Sequence, residues 1–313
     1  LHAGFKYSKR INSKQMDLLD IQTQAKRTIV DVAKRSDEHL YYLWRELHRK
    51  LTPIVSSNPT SIWDLEWDIL CILDGCRVDT FRKYHSDAES YVSVAASSKP
   101  WINRTFKNTH QNIAYISGNP FASNLDPDIF GYFHQESVVE TKYGIKTVPP
   151  SSLRNHAVGA WRNRDDFGFE KLIVHFMQPH VPFRSRPEWF SGYQNSERWG
   201  TRVWRKLRYR KLSKDELLSA YADNLEWVLN EGVNPLRGLV DGTVGVTADH
   251  GNAVGEWGLY GHPNGVGIAP VRKVPWYTFD AVDSGREVDS ANLNNSTLNT
   301  DEVHDQLKAL GYR

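Results

Sequence analysis

Sulfur is scarce in this chain of 313 residues, which has only two cysteines and two methionines. Cys71 and Cys76 flank Asp74, within an apolar run and its exit. Side chains alternate along a strand, so a disulfide between the two is geometrically awkward. Both are expected to be reduced, which favours a cytoplasmic setting. No run of about 18 apolar residues occurs, so no transmembrane helix is expected. Leu1 to Arg10 lack the pattern of a signal peptide. The chain begins without Met, and something upstream is expected to be missing. An excess of one charge is also absent: 39 basic residues against 37 acidic ones leave +2. That balance gives no reason to expect nucleic acid as a partner. A local basic run, Arg202 to Lys214, holds Arg205, Lys206, Arg208, Arg210 and Lys211. It reads as a solvated helix face, with a contact surface for an anionic polymer or lipid headgroup as the alternative. Internal repeats and long low-complexity segments are lacking too.

Aromatics are plentiful, with eleven Trp and fourteen Tyr, so an aromatic-rich core is expected. Residues 14 to about 50 are polar with a helical pattern: Leu18, Leu19, Ile21, Ile29, Val30, Val32, then Leu40, Leu43 and Leu47. They predict one or two amphipathic helices packed on a larger body, or a partner-binding arm. Thr52-Pro53 and Asn58-Pro59 mark a linker. The division expected is a helical extension and linker over 1–60 and an α/β domain over 61–313.

Within that domain, Asp68-Ile-Leu-Cys-Ile-Leu-Asp74 reads as a buried parallel strand. Asn112 to Ser117, Lys171 to Phe176 and Gly242 to Ala248 read as three more strands. Helices are expected from Val78 to Tyr84, over 151–162 with Ser151 or Ser152 as cap, and from Asp215 to Asn230. Strands alternating with helices predict a three-layer α/β/α sandwich around a mixed, mostly parallel sheet.

Two of these strands run directly into acidic residues: Asp74, and Asp249 with His250. Ligands of open α/β sheets bind beyond the carboxyl ends of the strands. Carboxylates from separate strands can converge there on one cation, and carboxylate plus imidazole suits Zn²⁺ or Mn²⁺. Gly251 would let the backbone turn sharply away from the ion.

Three segments carry a resemblance. Thr247-Ala-Asp-His-Gly-Asn252, with Gly255-Glu256 and Tyr260-Gly-His-Pro263, resembles the C-terminal metal motif of the alkaline phosphatase/sulfatase superfamily. Ile72-Leu-Asp-Gly-Cys-Arg-Val-Asp79 resembles its N-terminal motif, and Val174-His-Phe-Met-Gln-Pro-His-Val-Pro-Phe183 its central one. The order is the family's, over residues 68–276, and the pattern is most similar to archaeal sulfatase-like hydrolases and transferases. The resemblance implies an alkaline phosphatase-like fold and one divalent metal ion (Zn, Mn, Mg or Ca) on Asp74, Asp249, His250 and Ser98. It also implies a hydroxyl nucleophile between Val92 and Trp101. Ser98 is placed there by Ser98-Lys99-Pro100, with Ser97 as runner-up.

Departures from the family narrow the reading. Ile102 replaces the Arg of the sulfatase signature, and neither cysteine lies in it, which speaks against formylglycine and sulfatase activity. Gln178 stands where many members have Asp, which disfavours a second metal, although Glu256 could supply the missing carboxylate. The pattern is closer to the single-metal branch, with lipoteichoic-acid synthases and phosphoethanolamine transferases. There His180 matches a histidine that contacts the substrate anion. His262 is a candidate second-metal ligand, substrate donor or acid. Arg77 is placed either on a substrate anion or in an ion pair with Asp79 or another acid. His175 reads as a core histidine. The implied activity is a metal-dependent hydrolase or transferase acting on phosphate esters or diesters through a serine, on an anionic ester such as a glycan or lipid headgroup. A sulfatase or other esterase on the same fold, or a non-catalytic binding member, are the rival readings.

Overall fold

The computed structural model describes residues 38–51, 58–190 and 199–289. The features expected over residues 14–37, and the Thr52-Pro53 break, lie outside these. The main sheet has seven strands: β1 (Ile69–Leu73), β2 (Glu89–Val92), β3 (His110–Ser117), β4 (Phe130–Gln135), β5 (Lys171–Phe176), β6 (Gly242–Thr247) and β7 (Lys273–Ala281). Their spatial order is β2-β7-β6-β1-β5-β3-β4. β6, β1, β5, β3 and β4 pair in parallel, while β7 is antiparallel to both β6 and β2. The sheet is therefore mixed and mostly parallel.

Both faces are covered, as unbroken apolar strands require. Along β1, Ile69, Cys71 and Leu73 enter one core, and Leu70 and Ile72 the other. The first core is closed by α3 (Pro150–Arg162), through Leu153, Ala157 and Trp161, and by α5 (Lys214–Val228), through Leu225 and Val228. The second is closed by α2 (Ser98–Thr105), through Trp101 and Ile102. Ser213 and Glu216 form a capping box that starts α5. Cys71 and Cys76 are free and buried. Leu70 is fully buried on the central strand. Leu70→Ala is expected to cost about 2–5 kcal/mol, read from denaturant unfolding.

Several local expectations change. α3 is not capped by Ser151 or Ser152: Pro149 is the N-cap and Pro150 the first helical residue, where its fixed φ suits the first turn. The helix expected over Val78 to Tyr84 is a single turn, Val78–Phe81. On α1 (Glu38–Leu51), Leu40, Leu43 and Leu47 are exposed, not the packing face. The body is met instead through Tyr41, whose hydroxyl accepts from Tyr260 N, and Trp44, whose Nε1 donates to the Trp257 carbonyl. The basic run is in part a helix face turned to α1: on α4 (Trp199–Arg208), Arg205 and Arg208 pair with Glu38 at 2.9 and 2.6 Å. Among the described residues, no helix is long and apolar enough to cross a membrane.

Candidate active site

The carboxyl ends of three adjacent strands converge on one point. β1 delivers Asp74, β6 delivers Asp249 and His250, and the penultimate residue of β5 is His175. All four side chains are fully buried. Gly75 follows Asp74 at φ +69°, and a Cβ there would lie 2.6 Å from Asn252 Nδ2. Only glycine allows this turn, which aims Gly75 N at Asp249 Oδ1 (2.9 Å) and ties two strand ends together. Gly251 is glycine for a different reason from the one expected. Its φ is not positive; rather, an added Cβ would meet the Pro270 carbonyl oxygen at 2.3 Å.

Ser98 opens α2 and is almost fully buried. Its Oγ lies 3.2 Å from His250 Nε2 and 3.5 Å from each Asp74 carboxylate oxygen. The first turn of a helix also favours negative charge. Ser97 is the N-cap residue one position back, and no side-chain cap bond orients it.

Hydrogen bonds define the tautomers. His250 Nδ1 is 2.8 Å from the Gly251 carbonyl, which can only accept, so Nδ1 carries the proton and Nε2 a lone pair. Nε2 faces Asp249 Oδ2 at 3.4 Å and Asp74 Oδ1 at 3.6 Å. Asp249 Oδ1 accepts from Gly75 N and His250 N, but Oδ2 has no hydrogen-bond partner among the described residues. Nor has His175 Nε2, which lies 3.9 Å from that oxygen while its Nδ1 meets the Tyr115 hydroxyl at 2.9 Å. Burial first, and Asp249 second, push the Asp74 carboxyl well above its ordinary range.

This arrangement is a nest of acceptors. Asp74, Asp249, His250 Nε2 and Ser98 Oγ bring two carboxyl groups, an imidazole nitrogen and a hydroxyl together. Such a set is unfavourable when dry and fits one divalent cation. Asp74, His175 and Asp249 also satisfy the spacing of a metal-binding group. A second group, His134, Glu136 and His156, satisfies the same spacing but differs in the orientation of its rings. Its imidazoles stack with centroids 3.5 Å apart and planes 18° from parallel, so their in-plane lone pairs do not converge on a single ion.

His175, read from sequence as a core histidine, is fully buried, and its ring also lies beside Asp249. Its place inside an apolar strand gave no sign that its ring would meet Asp249. Asn119 was also missed as a site residue: its Nδ2 donates to Asp74 Oδ2 at 2.8 Å. The available signal was a polar residue just beyond the carboxyl end of a buried strand.

The remaining candidates flank this nest. His180 Nδ1 is 2.8 Å from the Val181 carbonyl, so its basic nitrogen is Nε2, and burial pushes it down to about 4. His262 Nδ1 donates to Asn252 Oδ1 at 2.8 Å, because Asn252 Nδ2 is turned to the Gly75 carbonyl. Burial, then the His250 and His180 rings, hold His262 well below its usual pKa. The ring centroids of His262 lie 4.5 Å from His250 and 5.3 Å from His180. Arg77 takes the ion-pair alternative. Its guanidinium pairs with Asp79 and Glu256 and donates to the Asn252 carbonyl, bracing the loop that carries His262. Gln178 donates to Val148 O at 3.0 Å and Thr147 Oγ1 at 3.3 Å, and Glu256 is held by Arg77 and the Val254 amide.

No protein-family model and no curated protein matches this chain. Among solved structures, it is similar to the C-terminal periplasmic domain of phosphoethanolamine transferase EptC from Campylobacter jejuni, at 15% identity and TM-score 0.42, covering 67% of this chain and 78% of that one. It is also similar to the soluble domain of lipooligosaccharide phosphoethanolamine transferase A from Neisseria meningitidis, at 11% identity and TM-score 0.41, covering 68% and 75%.

Proposed function

We propose that this chain is a metal-dependent phosphoesterase or phosphotransferase of the alkaline phosphatase/sulfatase-like superfamily, with Ser98 as nucleophile. The observation that carries the reading is the Ser98 hydroxyl at the rim of the acceptor nest, 3.2 Å from His250 Nε2. Asp74, Asp249, His250 and Ser98 would hold one divalent ion, with His175 as a further donor. When bound, that ion supplies the positive charge that lowers the hydroxyl's pKa and offsets charge building on the phosphoryl group.

Everything else falls to the protein. The nest orients Ser98 Oγ, which gives its proton to solvent, attacks phosphorus and expels the ester oxygen, which takes a proton from His180 or His262, leaving a phosphoseryl ester. Water or an acceptor alcohol then takes the phosphoryl group and returns Ser98. His180 and His262 present basic Nε2 atoms. Negative charge entering with the substrate favours their protonation, so that each can then donate to a phosphoryl oxygen or to the leaving oxygen. Asn252, held by Gly75 and braced by Arg77, keeps His262 turned inward. The substrate is an anionic ester, with a glycan or lipid headgroup as the class in view.

The deciding experiment is turnover of p-nitrophenyl phosphate, bis-p-nitrophenyl phosphate and p-nitrophenyl sulfate, each with Zn²⁺, Mn²⁺, Mg²⁺ or Ca²⁺. Phosphate esters are expected to exceed the sulfate ester by at least ~100-fold, since Ser98 is a hydroxyl and no cysteine lies in the signature. Preferred sulfate turnover, or formylglycine found by mass spectrometry, would reverse the assignment.

A further inference from the structure

Beside Ser98 lies a cavity of ≈ 510 Å³, within the size range of about 300–1,000 Å³ usual for small-molecule sites. Its chemistry is one-sided. Lys99 and Arg104 bring two cations, Asn103 and Asn264 two amides, and Phe121 an aromatic face; among the described residues, no aspartate or glutamate lines it. The geometry is helical: Lys99 and Asn103 stand four residues apart on one face of α2, and Arg104 follows. Among the described residues, Arg104 makes one hydrogen bond, from Nη1 to the Val94 carbonyl, and a guanidinium has five donors in all. Lys99, Asn103 and Arg104 are exposed, so the wall faces an incoming molecule rather than the core.

We propose that this cavity takes the organic group of a phosphorylated sugar or polyol bearing a second anionic group, and disfavours an ammonium-bearing group. The inference rests on Ser98 as the reacting hydroxyl and names the substrate class of that site. With the first phosphate at Ser98, the remainder of the ester lies along α2. A second phosphate or carboxylate there meets Lys99 and Arg104, where charge-assisted donors match its oxygens. Sugar hydroxyls exchange donors and acceptors with the amides of Asn103 and Asn264, and a ring's C–H face lies on Phe121. An ethanolamine-like ammonium would meet two like charges and no carboxylate, a mismatch that works against binding.

The test compares glucose 1,6-bisphosphate with O-phosphoethanolamine, both by phosphate release with Mn²⁺ present and by calorimetric binding to the Ser98→Ala protein. Both readouts are expected to favour the bisphosphate by about 10-fold or more, the scale of two partly exposed ion pairs. The double variant Lys99→Gln/Arg104→Gln should bring the two ligands to within a few-fold, and Lys99→Arg should keep the preference. Equal or tighter binding of O-phosphoethanolamine, or a preference untouched by the double variant, would overturn the inference. Failure to hydrolyse p-nitrophenyl phosphate with any of the four cations would sink the catalytic reading instead, and the order of calorimetric affinities would still decide the subsite.

Discussion

Ser98→Ala is expected to lower turnover of p-nitrophenyl phosphate by about 10³-fold or more and to abolish any trapped phosphoenzyme, whereas Ser97→Ala keeps measurable activity. The asymmetry follows from one residue of helix geometry. Ser98 is the first residue of α2, and its Oγ is within 3.5 Å of three acceptors that belong to Asp74 and His250. Ser97 stands outside the helix in extended backbone at φ −165°. Removing Oγ from Ser98 deletes the atom that forms the new bond. It also leaves the surrounding carboxylates in place, so the variant should still bind metal and keep its fold. Quench-flow with acid trapping measures the phosphoenzyme directly. Loss of activity in Ser97→Ala with retention in Ser98→Ala would move the nucleophile by one residue. Small and equal losses in both would make water the nucleophile.

The residues that the sequence disclosed are those whose signal is local. β1, β5 and β6 are short runs rich in apolar or β-branched residues, the pattern of a parallel strand covered on both faces. β2, β4 and β7 lacked that signature. β2 is four residues long with a mostly half-exposed surface, and β7 contains Pro275 and alternates exposed with buried positions only from Thr278 to Ala281, at the antiparallel side of the sheet. α2 was hidden because Ser-Lys-Pro reads as loop, although proline is tolerated in a helix's first turn. The site shows the same division. Asp74, Asp249, His250 and Ser98 stand at strand or helix ends, where sequence shows the edge of an element. His175 and Asn119 join the site only because β5 and β3 lie next to one another and β5 lies beside β1, and strand order is not written in any one segment. The charged loop residues were the least legible. Arg77 could equally have met a substrate; the ion pairs of its buried guanidinium with the more exposed Asp79 and Glu256 depend on how the loop after Asp249 folds back.

Asp249→Asn is expected to weaken metal binding by at least ~100-fold while making the metal-free protein more stable, not less. Asp249 ends a strand as expected, yet it is fully buried, so tolerance of the substitution cannot come from exposure. It comes from the division of labour between its two oxygens. Oδ1 accepts from Gly75 N and His250 N, and the carbonyl of an asparagine can keep both bonds. Oδ2 faces His250 Nε2 and His175 Nε2 with no hydrogen-bond partner among the described residues, and that is where an amide would bring a donor in place of an anion. In the metal-free protein, two buried carboxylates share one pocket, and that repulsion, added to burial, is what raises Asp74. Removing one charge relieves it, and a new N–H would satisfy a histidine lone pair nearby. In the metal-bound protein the same change removes a charged ligand. The apparent melting temperature of the metal-free variant should therefore rise above that of the unsubstituted protein, and the increase on adding Zn²⁺ or Mn²⁺ should largely vanish. Elemental analysis of the unsubstituted protein should give one ion per chain. Undiminished metal affinity in Asp249→Asn, or a metal-free variant less stable than its parent, would refute the account of the nest as a site built for a cation.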